Sequence, residues 1–274
     1  MKITMIGAGS MAEALIAGWV KEGSLNPAEI FVTNREDNSR LNQLKDHYRV
    51  SISRDILELT DKTDIVILSC KPKDWESALK PLIPHLNEKT MIASVMAGVT
   101  ITSIEELVPV SPVIRTMPNT SAAVLASMTS ISYGAQVSSS QKAAVESLFS
   151  YIGETAVLEE TMMDAVTALT GTGPAYIYYL MESMEKAAAN IGVPAHIGRD
   201  LVAQTLIGAS RRVQEEESTP AELYKQIMSP GGTTEAGFDV LKERQVQEAI
   251  IDCIGSAYER SQQLGKGKTS LKQR

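Results

Sequence analysis

Ile3-Thr4-Met5-Ile6-Gly7-Ala8-Gly9-Ser10-Met11-Ala12 is the stretch that decides the fold. A short apolar run, the pattern of a strand, ends on a glycine turn, and helical spacing follows over Met11–Val20. The turn reads Gly-x-Gly-x-x-Ala. Gly7 permits the tight bend, Gly9 lets a pyrophosphate approach the backbone, and Ala12 keeps helix and strand close. Alone this motif is a weak signal. Set between a strand and a helix, it reads as a dinucleotide-binding turn, with Gly7, Ala8, Gly9, Ser10 and Met11 as cofactor-binding candidates.

The pattern repeats outward. Ile30–Thr33, Ile65–Leu68, Met91–Val95 and Pro112–Arg115 read as strands, Met128–Tyr133 and Thr155–Leu158 as weaker ones, with a helix over Arg40–Tyr48. Ile65-Val66-Ile67-Leu68 is continuously apolar, as a strand buried on both faces must be. Alternating strands and helices imply an α/β, Rossmann-like doubly wound sheet. From Met162 onward only helical patterns appear, including Ala175–Ile191 with Gly192 as its C-cap and Thr219-Pro220-Ala221-Glu222 as an N-cap with Pro at the first helical position. The chain therefore divides into a dinucleotide-binding domain over 1–160, an all-helical domain over 161–264 and a Gly/Lys-rich tail over 265–274, expected to be disordered.

Composition narrows the class. A chain of 274 residues can bury a sizeable core. A net charge of −7 argues against a nucleic-acid surface. No apolar run is long enough to cross a bilayer, and the immediate strand leaves no room for a signal peptide. Cys70 and Cys253, and His47, His85 and His196, are too scattered for a metal site. A reducing cytoplasm is the expected location.

The carboxyl ends of the strands supply the remaining cofactor candidates, because ligands of open α/β sheets sit there. Where a site for NAD usually carries Asp or Glu, this chain has Thr33-Asn34-Arg35. Asn34 suits the ribose edge and Arg35 a 2′-phosphate, so NADPH is the expected cofactor, with NADH as the alternative. Arg35 also fits a solvated surface charge, and an inward-turned Glu36 would serve the NADH alternative. Ser69, Lys71, Pro72, Ala97 and Asn119 stand at later strand ends. Gly171-Thr172-Gly173-Pro174-Ala175-Tyr176 reads as a second anion nest, or as the turn that starts the long helix.

Ser229-Pro230-Gly231-Gly232-Thr233-Thr234 lies far from the first motif. Pro fixes one φ, the glycines permit unusual backbone, and either threonine hydroxyl can cap the helix that follows. Free N–H groups at a helix start suit a small anion. On these six residues alone, a plain interhelical turn with a good N-cap is the stronger reading.

Taken in order, Gly-Ala-Gly-Ser-Met-Ala, Asn34-Arg35, Lys71-Pro72, Met117-Pro118-Asn119-Thr120, Gly173-Pro174-Ala175-Tyr176 and Ser229–Thr234 with Ala236-Gly237 resemble the pyrroline-5-carboxylate reductase family over nearly the whole chain. The last motif is the most specific. The resemblance implies reduction of 1-pyrroline-5-carboxylate to proline with NAD(P)H, and a helical domain that interleaves in a homodimer, often assembled further. It gives the turn a ligand, the substrate carboxylate, with Ser229, Gly232, Thr233 and Thr234 as substrate-binding candidates. Thr234 is the catalytic candidate, its hydroxyl bonding the ring nitrogen. Three positions depart from the family pattern: Ser121 replaces a Pro, Ala122–Ser127 replaces a Gly-rich segment, and Gln226 replaces Asn or Asp. Two rivals stand beside this reading. One is a β-hydroxyacid dehydrogenase, which would need a base such as Lys186. The other is a non-catalytic NADP-responsive regulator on the same scaffold.

Overall fold

The computed structural model describes residues 1–266. It contains two compact units, one formed by Met1–Pro174 with the chain from Ala257, the other by Ala175–Ser256. The sheet unit runs β1 (Ile3–Ile6), α1 (Ser10–Glu22), β2 (Ile30–Thr33), α2 (Asn38–Tyr48), β3 (Ser51–Ile52), α3 (Ile56–Thr60), β4 (Ile65–Leu68), α4 (Trp75–Leu79), β5 (Met91–Ser94), α5 (Ile101–Glu105), β6 (Val113–Met117), β7 (Ser127–Tyr133), α6 (Ser139–Ser150), β8 (Gly153–Val157) and α7 (Met163–Val166). The strands lie in the order β3-β2-β1-β4-β5-β6-β7-β8. Every pairing is parallel except β6 with β7. The chain winds outward from β1 to β3, then returns to β4 on the other side of β1. That reversal is the switch point at which such sheets bind ligands.

β4 shows why the continuous apolar run was needed. Side chains alternate across a strand. Ile65 and Ile67 join one core, with Leu15, Ile16 and Trp19 of α1 and Phe149 of α6. Val66 and Leu68 join the other, with Trp75 and Leu79 of α4 and Ile104 of α5. Both faces are thus covered by helices, as the doubly wound reading requires. α1 lies unusually close to its neighbour: a Cβ on Gly18 would stand 2.3 Å from the Ala122 carbonyl oxygen. Buried Trp19 is satisfied by donating its indole N–H to the Leu148 carbonyl at 2.8 Å.

The helical pattern begins at Glu160, but its first turns pack with the sheet unit. Arg115, on β6 and only 3% exposed, reaches Glu160 at 3.3 Å and Asp164 at 3.2 Å. Asp164 also accepts the Ser261 hydroxyl at 2.9 Å. These polar bonds explain why compactness divides the chain at Pro174, later than the change of pattern at position 160.

α8 (Gly173–Asn190), α9 (Ala195–Glu215), α10 (Pro220–Gln226), α11 (Thr233–Glu243) and α12 (Val246–Lys266) complete the chain. Gly192 takes φ +89°, the left-handed conformation expected after the end of α8. Thr219 and Glu222 form a reciprocal capping box at α10, which holds the Glu222 carboxyl below its usual range, with the Thr219 N–H as the largest cause. The segment Ala175–Ser256 buries little of its own apolar surface. Ile177, Tyr178, Tyr179, Leu201, Ile250 and Ile251 all stand exposed. Gly265 and Lys266 close α12, and the rest of the expected tail, from 267 onward, lies outside the described residues.

Candidate active site

The sheet unit carries the nucleotide half. Gly7 sits at φ +118° and donates its N–H to the Thr33 carbonyl at 2.9 Å, tying the turn to the end of β2. A Cβ there would meet the backbone of Ser69 and Cys70 at 2.6 Å, so only glycine fits. Gly9 is different. Its backbone is extended, and a Cβ would meet nothing within 4 Å. Ordinary packing does not demand glycine at that position, whereas close approach of a phosphate does. The first backbone bond of α1 runs from Glu13 N–H to the Gly9 carbonyl at 3.0 Å. Ser10, Met11 and Ala12 therefore present the helix's unpaired N–H groups beside the positive end of its dipole.

The other strand-end candidates gather at the same edge of the sheet. The Ser69 hydroxyl at the end of β4 bonds the carbonyls of Ile6 at 3.3 Å and Gly7 at 3.2 Å. Lys71 is exposed, with Pro72 half-buried beside it. Ala97, past β5, is half-buried next to Gly98, whose backbone at φ +71° packs closely on Leu264 and Gly265 of α12. Asn119 follows β6, but its amide is already used: it donates to the Thr170 carbonyl at 3.1 Å and accepts the Ser121 N–H at 3.0 Å. It fastens a strand end to the π-helical turn Thr167–Gly171. Arg35 is exposed and has no protein partner among the described residues.

Two arginines here escaped the sequence reading. Arg40 donates Nε to the Ala8 carbonyl at 2.8 Å and pairs with Glu13 at 2.5 Å. Arg54, just beyond β3, grips Asn34 by its carbonyl at 2.9 Å and its amide oxygen at 2.7 Å, and also bonds the Asn38 side chain. The two-residue strand that places Arg54 is too short to leave a periodic signal.

The Ser229–Thr234 turn belongs to the helical unit. Pro230 followed by Gly231 at φ +70°, with the Gly232 N–H bonded to the Ser229 carbonyl at 2.9 Å, has the features of a type II turn. The expected threonine cap does not form. α11 begins at Thr233 itself, so its N-cap is Gly232, without a side-chain bond, and both threonines already lie in the first turn. Glu235 takes the capping task instead, accepting the Gly231 N–H at 2.6 Å. Gly231 and Gly232 thus have acceptors. The N–H groups of Thr233 and Thr234, and the hydroxyls of Ser229, Thr233 and Thr234, have none among the described residues. Gln226 accepts from Arg212 at 3.3 Å, and Arg212 also binds Glu216, whose carboxyl that hydrogen bond holds below its usual range.

A doubly wound sheet with this glycine turn, joined to a helical unit, defines a two-part dinucleotide-dependent oxidoreductase. Residues 2–98 match the family model for NADP oxidoreductase, coenzyme F420-dependent, and residues 160–264 match that for pyrroline-5-carboxylate reductase dimerisation. The chain is 42% identical to pyrroline-5-carboxylate reductase 2 of Bacillus subtilis, over 96% of its own length and 95% of the relative's. The solved structure of the Plasmodium falciparum pyrroline carboxylate reductase with NADP bound superposes with a TM-score of 0.88 at 26% identity, covering 97% of this chain and 98% of that one. A Coxiella burnetii pyrroline-5-carboxylate reductase gives 0.81 at 31% identity over 97% and 98%. The chain belongs to the pyrroline-5-carboxylate reductase family.

Proposed function

We propose that this protein reduces 1-pyrroline-5-carboxylate to proline with NADPH, the last step of proline synthesis, in the cytoplasm. The observation that carries the reading is the Ser229–Thr234 turn, with two adjacent N–H groups and three hydroxyls unclaimed among the described residues. A carboxylate on Thr233 and Thr234 N–H, supported by the Ser229 hydroxyl, would satisfy them, with Gly232 keeping the approach open. The Thr234 hydroxyl then bonds the ring nitrogen and favours the protonated, electrophilic imine. A protonated cyclic imine needs no further acid, so the lack of a histidine in the turn is no obstacle. NADPH, when bound, supplies the hydride. The chain's part is to hold nicotinamide and imine in near-attack geometry.

Residues 1–160 serve as the cofactor domain in this reading, with the pyrophosphate on Gly7–Met11, and residues 161–264 serve substrate binding and dimerisation. The exposed apolar side chains of α8, α9 and α12 support a homodimer through the helical domain. The dehydrogenase rival fares worse. Lys186 is exposed and pairs with Glu182 at 2.7 Å, a hydrogen bond that raises its pKa and keeps it charged, unlike a general base.

Steady-state NADPH oxidation with five- and six-membered cyclic imino acids tests the proposal, set against NADP reduction with 3-hydroxyacids. Turnover is expected with the five-membered imine. Tight NADPH binding without imine turnover would favour the regulator, and turnover of a hydroxyacid alone the dehydrogenase.

A further inference from the structure

We propose that Arg54 is a determinant of cofactor choice, presenting a second positive charge to the adenosine 2′-phosphate beside Arg35. The inference rests on the NADPH reading and adds a residue that the strand-end rule does not reach.

The geometry is specific. β2 delivers Asn34 next to the glycine turn, since the Gly7 N–H is bonded to Thr33. Arg54 arrives from the neighbouring strand, where the Ser53 N–H bonds the Val32 carbonyl at 3.3 Å. Its Nε and Nη2 clamp Asn34, while Nη1 bonds Asn38. All three acceptors are neutral, and among the described residues no carboxylate lies within ion-pair distance of Arg54. Four acids near in sequence are engaged elsewhere, Glu13 with Arg40, Glu58 with the Ser53 hydroxyl, and Asp37 and Asp55 at helix N-caps, while Glu36 is exposed and forms no ion pair with Arg54. A guanidinium has five donors, and three are used here. The plane is therefore fixed, the charge has no ion-pair partner among the described residues, and two N–H groups remain for an anion. A dianionic phosphate fits that fork better than a ribose hydroxyl does.

The test reads the 2′-phosphate directly and does not depend on imine turnover. Adenosine 2′,5′-bisphosphate and AMP are titrated calorimetrically into the full chain carrying Arg54→Ala, Arg54→Lys or Arg35→Ala. Arg54→Ala is expected to weaken the bisphosphate by roughly tenfold or more while AMP stays within about twofold. Arg54→Lys should recover part of the loss, because charge returns without the fork. Equal weakening of both nucleotides would make Arg54 a brace for the loop and overturn the proposal, as would no change in either. Should Arg54→Ala fail to fold, the Lys variant decides: loss confined to the bisphosphate supports the assignment, and loss shared with AMP overturns it. A failed imine assay with intact Arg54-dependent bisphosphate binding would count against the substrate reading alone.

Discussion

The Glu235 carboxylate accepts the Gly231 N–H at 2.6 Å, closing the Ser-Pro-Gly-Gly turn from the first turn of the helix that follows it. Gly231 stands at φ +70°, and the Thr233 and Thr234 N–H groups have no acceptor among the described residues, which frees them for the proposed carboxylate. Glu235→Ala should raise KM for the imino acid by roughly three- to tenfold, a modest loss because the bond is only partly shielded from water. Glu235→Gln keeps an acceptor and should stay near the parent. A lowered KM in Glu235→Ala would show that the carboxylate competes with substrate instead of shaping the turn.

Thr234 is the sharper test of the substrate site. Its hydroxyl has no protein partner among the described residues, so removing it disturbs little of the fold. Loss of a hydrogen bond to a charged group costs about 1.5–3 kcal/mol, so Thr234→Ala should lower kcat/KM by roughly one to two orders of magnitude. Unchanged kcat/KM would take Thr234 out of the site.

Gly7 and Gly9 should fail in different ways. Gly7→Ala drives a methyl into the Ser69–Cys70 backbone at 2.6 Å and strains a left-handed φ. Its stability should fall by about 2–4 kcal/mol in urea melts. Gly9→Ala meets no neighbour. It should remain within about 1 kcal/mol of the parent yet bind dinucleotide at least about tenfold more weakly, since the methyl stands where the pyrophosphate must approach. Equal stability losses would contradict the division of roles.

Arg115 allows a test of buried charge. Removing its counter-charges with Glu160→Gln and Asp164→Asn together leaves a guanidinium that is 3% exposed without an ion-pair partner. The cost should be about 3 kcal/mol, low in the usual range because both carboxylates are partly wet. Arg115→Met removes the charge together with its need for partners, and the parent's Nε has no hydrogen-bond partner among the described residues. The Met variant should lose less than the double variant, as urea midpoints would show. The reverse order would mean that the ion pairs stabilise the sheet unit outright.

Much of the fold was legible because its signals are local. The four strands of the parallel core from Ile3 to Ser94 announce themselves by short apolar runs, and Gly192 and the Thr219 capping box fall where turn chemistry puts them. β3 was invisible because two residues carry no period. The threonine cap was misplaced because the helix starts one or two residues earlier, and only the backbone reveals that Gly232 is the N-cap.

The sequence alone determined the Gly7–Ala12 turn, the two-part organisation and the family, since these rest on residue identity at fixed spacing. The tertiary structure decided who stands beside whom. It set Arg54 against Asn34 across 20 residues, and Arg115 against Glu160 and Asp164 across 45 and 49. It also consumed the amide of Asn119 on Thr170. Hydrogen-bond partners so distant in the chain are chosen by the packing of strands and helices, and no local pattern encodes that choice.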